Sequence, residues 1–497
     1  MNQLPTPMTQ PSLGLSARFV AVVALLAASG CSMTPKLEHL GLAVPAYQWG
    51  TAERSVASGL QPDRLAWSGY FQDARLQSLI ADALKNNRDL RVAVLNIEQT
   101  RAAYQIQRAD QFPTLNAAVS ATRQPSTAPP NAVGTVATGG LTLSAFELDL
   151  FGRVSALTDA AAANLLATQE ARKAVQISLV GSVAAGYYSL WADQWQHVLA
   201  EQTLATREAS FKLLQLKFDN GVLNELDLRS GQSLVEAARI ARAQYQRQVQ
   251  QDINALTLLV GAPIEAQQLP PKPSLPSSDA QFAQLTQSAQ LWPALSELPA
   301  GLPSEMLLKR PDIAQAEQVL IAANANIGAA RAARFPRISL TASLGVASDS
   351  LSGLFTDGRS AWAAGGSLLA PIFDSGRTSA NIKVSELKRD AAVAQYDKAI
   401  QTAFREVSDA LVARSTYGDQ VKAQQAQVDA EAVRLKLSNL RYASGVANQL
   451  DLLDAQRSLF TAQQALINTE LARQQAHISV FKALGGGLDT GQATASN

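Results

Sequence analysis

Two hydrophobic periods alternate along this chain of 497 residues, and the alternation occurs twice. Ile338, Leu340, Ala342, Leu344 and Val346 alternate with Ser339, Thr341, Ser343, Gly345 and Ala347, and Leu115, Ala117, Val119 and Ala121 alternate with Asn116, Ala118, Ser120 and Thr122. A period of two predicts strands with one apolar and one polar face. The pattern places strands over residues 112–123 and 336–347, with less regular return strands over residues 139–150 and 360–370. The first return strand shifts phase between Ala145 and Phe146, as a bulge or a corner would make it do. The segments between paired strands, residues 124–138 and 348–359, are rich in Ser, Thr, Gly, Pro or Asp and read as exposed loops. Strands of about ten residues match the length that crosses an outer membrane when tilted. Four of them cannot close a barrel, and an open edge in lipid leaves backbone groups unpaired at several kcal/mol each, so closure requires several copies of the chain.

The rest of the chain reads as helix. The chain has 21 prolines, yet none lies between Pro130 and Pro263 and none after Pro371. A proline inside a helix costs about 3 kcal/mol, so the proline-free stretches are where long helices fit, and Ala, Leu, Gln, Arg and Glu fill them. From Arg153 to Asp219 no strong breaker occurs, which at 1.5 Å per residue is a rod of roughly 100 Å. Spacing of seven recurs at Leu204, Phe211 and Phe218, with Leu214 between, and at Val421, Val428, Leu435 and Tyr442. Such heptads form a coiled-coil seam; a helix buried in a large globular core is the alternative.

Sliding the chain on itself reveals a duplication with an offset of about 223 residues. Arg88-Asp89-Leu90 aligns with Pro311-Asp312-Ile313, Gln111-Phe112-Pro113 with Arg334-Phe335-Pro336, and Gly221-Val222 with Gly445-Val446. The fold class is therefore mainly α with membrane β, built as a duplicated helix-strand-strand-long helix-helix unit. The repeats are expected over residues 71–262 and 311–487. A proline-rich segment over 263–310 joins them, as a flexible linker or a small irregular domain, and a flexible tail follows over 488–497.

The first 30 residues carry no acidic side chain, and Phe19 to Ala28 form an apolar core too short to span a bilayer, so residues 1–30 read as a signal peptide. The segment ends Ala28-Ser29-Gly30-Cys31, small residues leading into the only cysteine, and resembles a bacterial lipobox. That resemblance implies a lipidated Cys31 heading a lipid-anchored segment over 31–70; an ordinary cleaved signal is the alternative. Ser32 stands where the inner-membrane retention signal of such lipoproteins has Asp, which implies sorting to the outer membrane.

Charge and composition narrow the function further. Charged residues are 17% and the net charge is +1, so there is no basic field to hold nucleic acid. One cysteine and three scattered histidines supply neither a disulfide framework nor a metal site. The nucleophile-elbow, zinc-protease and phosphate-loop motifs are missing, so neither a catalytic residue nor a cofactor is expected.

Each half also holds a short turn between two long helices. Gly221 and Gly445 can adopt the left-handed conformation that ends a helix, and the adjoining Val222 and Val446 would form the tips. Three residues beyond each glycine come Asn224 and Asn448, good N-caps, with Asp227 and Asp451 at the third helical position in a near-capping box. Helix capping is thus a sufficient local role for both acids. Asp454 differs, because its repeat partner is Ser230 and it sits one turn beyond Asp451 on the same face.

The duplication, Leu302-Pro303-Ser304-Glu305, Arg310-Pro311-Asp312-Ile313, the run from Ala329 to Pro336, and Leu440-Arg441-Tyr442 through Leu450-Asp451-Leu452-Leu453-Asp454-Ala455-Gln456-Arg457 resemble TolC-like outer-membrane factors over roughly residues 60–487. The lipobox and the run from Leu302 to Ile313 resemble the lipoprotein branch serving resistance-nodulation-division (RND) efflux pumps. The resemblance implies a homotrimer whose twelve-stranded β-barrel sits in outer-membrane lipid and continues into the periplasm as a long α-helical barrel. The tips would meet a periplasmic adaptor protein and the inner-membrane RND pump, in a passive exit duct for small molecules. It also implies that Asp451 and Asp454 line a periplasmic constriction, six carboxylates in all, with Asp227, Tyr442 and its repeat partner Phe218 beside it. Members often carry a basic residue two positions after the tip glycine, but this chain has Ala447, so a tyrosine-arginine lock is not expected. A duct for type I protein secretion and a poreless periplasmic coiled-coil scaffold are the alternatives.

Overall fold

The computed structural model describes residues 32–37, 66–125, 133–273, 308–356 and 358–486. The signal peptide, Cys31, most of the proline-rich joining segment and the tail lie outside the described residues. In order, the elements are α1 (Trp67–Tyr70), α2 (Ala74–Asn86), α3 (Arg88–Ala109), β1 (Leu115–Pro125), β2 (Val133–Leu148), α4 (Arg153–Asp219) and α5 (Glu225–Val260). They continue with α6 (Pro311–Ala332), β3 (Arg337–Ser348), β4 (Arg359–Leu369), α7 (Arg377–Ala443) and α8 (Gln449–Ala483). The duplication is visible in the lengths: α3, α4 and α5 have 22, 67 and 36 residues, and α6, α7 and α8 have 22, 67 and 35. Lengths that agree to within one residue, at offsets of 223 or 224 residues, make the repeat one of structure as well as of motif.

Two compact units divide the chain. The first holds the four strands, which form one antiparallel sheet in the order β1-β2-β3-β4. Neither β1 nor β4 has a second neighbour among the described residues, so the sheet ends on two open edges. Leu115, Val119, Leu141, Leu344, Trp362 and Leu368 stand exposed on it. Paired hydroxyls cross the ladder at Ser120–Thr138 (2.8 Å) and Ser339–Ser367 (2.7 Å). The phase shift in β2 is a real irregularity: its register against β3 slips between Leu143 and Phe146, and Ala145 has φ of 48°. β2 begins at Val133, six residues before the expected Gly139, because Thr- and Gly-rich residues that read as loop continue the ladder to the pair Pro125–Val133. Beside the sheet, Phe151 stacks on Phe335 with centroids 4.6 Å apart, and Ala160, Ala163, Ala322 and Ala325 form a small-residue contact between helices. Residues 32–37 lie against α6: Asn324 Nδ2 donates to the Pro35 carbonyl at 2.8 Å, and a Cβ at Gly328 would fall 2.1 Å from Thr34 Oγ1.

The second unit contains the main hydrophobic core. Tyr70 stacks on Phe481 at 4.6 Å, and Phe71 meets Phe481 edge-on at 5.3 Å. Leu76, Leu79 and Ile80 of α2 pack with Val180, Val183, Tyr187 and Tyr188 of α4 in the same cluster. The buried hydroxyls are satisfied: Tyr70 donates to the His477 carbonyl at 2.9 Å and Tyr187 to Asp73 Oδ2 at 2.8 Å. Burial raises both phenols well above the usual range, so they remain neutral donors. Asn87 breaks α2 from α3, accepting from Leu90 N–H at 2.9 Å and donating to the Leu259 carbonyl at 2.8 Å.

Arg310 performs the matching task at the start of the second repeat. The residue is 7% exposed, and its guanidinium forks onto both carboxylate oxygens of Asp312 (3.0 and 2.7 Å) and also donates to Glu406 and to the Ala483 carbonyl. The heptad residues meet as seams. Leu204 and Phe211 pack with Val235 and Ala238, while Val421, Val428 and Leu435 pack with Leu459, Ala462 and Leu466. Among the described residues no helix is long and apolar enough to cross a membrane.

Phe481 joins α8 to Tyr70 of α1 and to Phe71 just beyond it, so Phe481→Ala leaves a cavity where three rings now touch. The expected loss is about 3–5 kcal/mol of stability, read as a lower melting temperature of the purified protein by circular dichroism; an unchanged melting temperature would contradict the placement of the core.

Candidate functional site

The two helix-to-helix turns are built alike. α4 ends in a Schellman arrangement, with Val222 N–H donating to the Lys217 carbonyl (2.9 Å) and Gly221 N–H to the Phe218 carbonyl (2.9 Å). α7 ends the same way, Val446 N–H donating to Arg441 (2.9 Å) and Gly445 N–H to Tyr442 (3.0 Å). Gly221 and Gly445 have φ of 74° and 71°, where a side chain would be strained. Val222 and Val446 are exposed at 76% and 69%, which leaves two apolar side chains at the tips uncovered among the described residues.

The next helices start on asparagine caps. Asn224 Oδ1 accepts from Asp227 N–H and Asn448 Oδ1 from Asp451 N–H, both at 2.8 Å. The acids behave differently from one another and from a standard capping box. Asp227 Oδ2 accepts from the Asn224 side-chain amide at 2.9 Å, closing a ring of two side chains. Asp451 contributes its backbone N–H to the cap, and among the described residues its exposed carboxylate enters no ion pair. The equivalence of the two aspartates in sequence thus conceals a difference: one carboxylate is engaged locally and the other is available.

Asp454 is not an isolated acid. It accepts from Arg434 of α7 and from Arg457 one turn along α8, while Arg434 also pairs with Glu431 at 3.1 Å. Two guanidiniums and two carboxylates cancel, so the like-charge repulsion expected of Asp454 is relieved within its own chain. The hydrogen bond from Arg434, then that from Arg457, holds the Asp454 carboxyl below the ordinary carboxylate range.

Tyr442 also has a partner that its own stretch of sequence does not disclose. Lys217, the residue before Phe218, donates from Nζ to the Tyr442 hydroxyl at 2.9 Å and lies 4.8 Å from the ring centroid. The basic contact that Ala447 cannot provide comes from the other repeat, 225 residues away. Phe218 is half-buried and gives its carbonyl to the Schellman turn. Asp227, Asp451, Asp454, Tyr442 and Phe218 all belong to the second unit, as do the four tip residues.

Comparisons with known proteins agree on one family. The model of the family described as outer membrane efflux protein matches residues 79–262 and 302–486, one segment for each repeat. The solvent efflux pump outer membrane protein SrpC of Pseudomonas putida is 43% identical over 482 residues, covering 94% of this chain and 98% of that protein. Outer membrane protein OprJ of Pseudomonas aeruginosa is 43% identical over 491 residues, 98% of each. Among solved structures, a membrane protein from Pseudomonas aeruginosa matches with TM-score 0.83 and 42% identity over 94% of this chain and all of that one. The open state of the Neisseria gonorrhoeae MtrE outer membrane channel matches with TM-score 0.80 and 37% identity over 93% of this chain and 99% of that one.

Because the Asp454 carboxyl is held low, its clasp contributes fully above the unfolded carboxylate value of about 3.9 and is lost only as pH falls through the lower folded value. Hydrogen exchange, corrected for intrinsic rates, should show unchanged protection of the first turns of α8 between pH 7 and pH 5 and a fall at lower pH. Asp454→Asn should show the loosened state throughout, and wild-type loss of protection already at pH 5 would contradict the assignment.

Proposed function

The chain belongs to the outer membrane efflux protein family, and from that premise we propose that it is the passive, non-enzymatic duct through which an RND-type pump discharges small molecules across the outer membrane. Supporting this, relatives are named as outer membrane proteins of efflux pumps, and solved structures that the chain resembles are named as outer membrane channels. The observation that carries the reading is the four-stranded sheet with open edges at β1 and β4. In hydrocarbon those edges demand partners, and three copies supply them in a ring of twelve strands. Acyl chains on Cys31 would add anchorage at about 0.8 kcal/mol per buried methylene, alongside the barrel's own.

The tips are the end that meets the adaptor and the pump. Val222 and Val446 are the apolar contacts offered there, on turns rigidly set by glycine and asparagine. In the assembled duct, Asp451 and Asp454 are the constriction acids, with the Lys217–Tyr442 contact bracing one coil against the other inside each protomer. Arg434 and Arg457 offset Asp454, so the ring's uncompensated charge is chiefly that of Asp451. Asp227 is a helix-cap acid, and its repeat counterpart performs the selecting. Specificity for substrate resides in the pump and adaptor.

Planar-bilayer recordings of the purified protein test both levels. Wild type is expected to give discrete, cation-selective conductance steps. Asp451→Asn should remove most of that selectivity, the Asp451→Asn/Asp454→Asn pair little more, and Asp227→Asn almost none. Equal reversal potentials in all four proteins would sink the gate and leave the duct, whereas the lack of any channel would sink the duct.

A further inference from the structure

Arg207 lies in the middle of the α4 seam, one heptad-turn beyond Leu204, and is only 5% exposed. Most buried arginines fork onto a carboxylate, as Arg310 does. Arg207 has no ion pair among the described residues. One amine, Nη1, donates to the Leu234 carbonyl at 2.8 Å, and the guanidinium carbon sits 5.1 Å from the centre of the Phe460 ring. Its Nε is buried without a hydrogen-bond partner. Burial alone lowers its pKa to about 10, with no acid acting in the opposite direction. At neutral pH the group is therefore a buried cation with one carbonyl, one aromatic face and, among the described residues, no counter-charge, an arrangement that is costly unless something else supplies the charge.

Beside it is a cavity of about 40 Å³ in which Arg207, Thr203, Thr206 and Gln456 face apolar walls that include Leu435 and Leu459. Gln456 Oε1 is likewise buried and unpaired, so the Gln456 amide is not committed to any arrangement that would fill the space. About 10–15 Å³ holds one water, so the cavity, which opens to solvent on one side, has room within it for a single-atom ion and one or two waters. The second repeat shows what the position lacks. With the 224-residue offset that relates Gly221 to Gly445, Arg207 corresponds to Glu431, and Glu431 is paired with Arg434. One repeat balances this position with an ion pair that reaches the surface, and the other leaves a positive charge facing a small cavity of mixed polar and apolar lining.

We infer that the cavity beside Arg207 is a binding site for a small monovalent anion of halide size, chloride in physiological solution. The ion would accept from the Arg207 guanidinium and be flanked by the Thr203 and Thr206 hydroxyls. It would be a fixed counter-ion of the first-repeat coil, stapling α4 to α8 through a charge that neither helix provides. Water fits the space equally well but brings no charge, and the missing charge decides between them.

The test uses the whole purified protein, with bromide as the probe. Crystals grown with bromide in place of chloride should show an anomalous peak in contact with the Arg207 guanidinium, absent in Arg207→Met. In solution, replacing sodium chloride by sodium gluconate at equal ionic strength should lower the wild-type melting temperature by a few degrees and leave that of Arg207→Met unchanged. If the variant does not fold, the wild-type peak and the wild-type shift decide the matter alone. A cavity holding only water, a carboxylate of a second copy seated on Arg207, or an equal gluconate shift in both proteins would overturn the inference.

Discussion

The backbone N–H and C=O groups along the outer edges of β1 and β4 set the terms for this molecule. In water they would be solvated at little cost; in hydrocarbon each unpaired group costs several kcal/mol, and no side-chain rearrangement in one chain can satisfy a whole edge. The exposed leucines, valines and Trp362 on the sheet require an apolar surrounding, and the same surrounding forbids open edges. Those two demands are compatible only if the sheet closes on other copies. The four strands are then one segment of a wall that other copies complete.

Duplication extends that logic to the helices. Each repeat provides one 67-residue helix and one antiparallel companion, joined by a glycine turn and an asparagine cap. Apolar seams at Leu204, Phe211, Val428 and Leu459 hold the pairs together. The polar contacts then distinguish the repeats. Asp227 is absorbed by Asn224, whereas Asp451 is left available; Glu431 is paired, whereas its counterpart Arg207 is not. Duplicated backbones with divergent charges let a symmetric scaffold present two unlike turns.

Much of this was legible in the residue pattern because it is local. Proline-free stretches marked the long helices, with α4 running from Arg153 to Asp219, and period two together with the phase slip near Ala145 marked the strands and the irregularity in β2. The Asn224 and Asn448 caps and the positive-φ glycines followed from positions three residues apart. Long-range pairings escaped. Lys217 and Tyr442 are 225 residues apart, and nothing in the neighbourhood of either names the other. Arg434 and Asp454 lie 20 residues apart on opposite sides of a turn, so the acid reads as free until the two helices are folded together. The early start of β2 was hidden for a different reason: Gly and Thr satisfy a ladder as well as a loop, and only pairing with β1 decides which.

Closure between copies is the claim on which the rest depends, and cysteine cross-linking in intact outer membranes tests it most directly. Ser120→Cys on β1 would be combined, one at a time, with cysteines at successive positions of β4 from Arg359 to Leu369, in a Cys31→Ser background that has no other thiol. Oxidation should link neighbouring copies in one narrow register and produce dimeric and trimeric bands on denaturing gels that vanish on reduction. Failure of every β4 position to link copies, with the protein otherwise inserted and folded, would contradict the account.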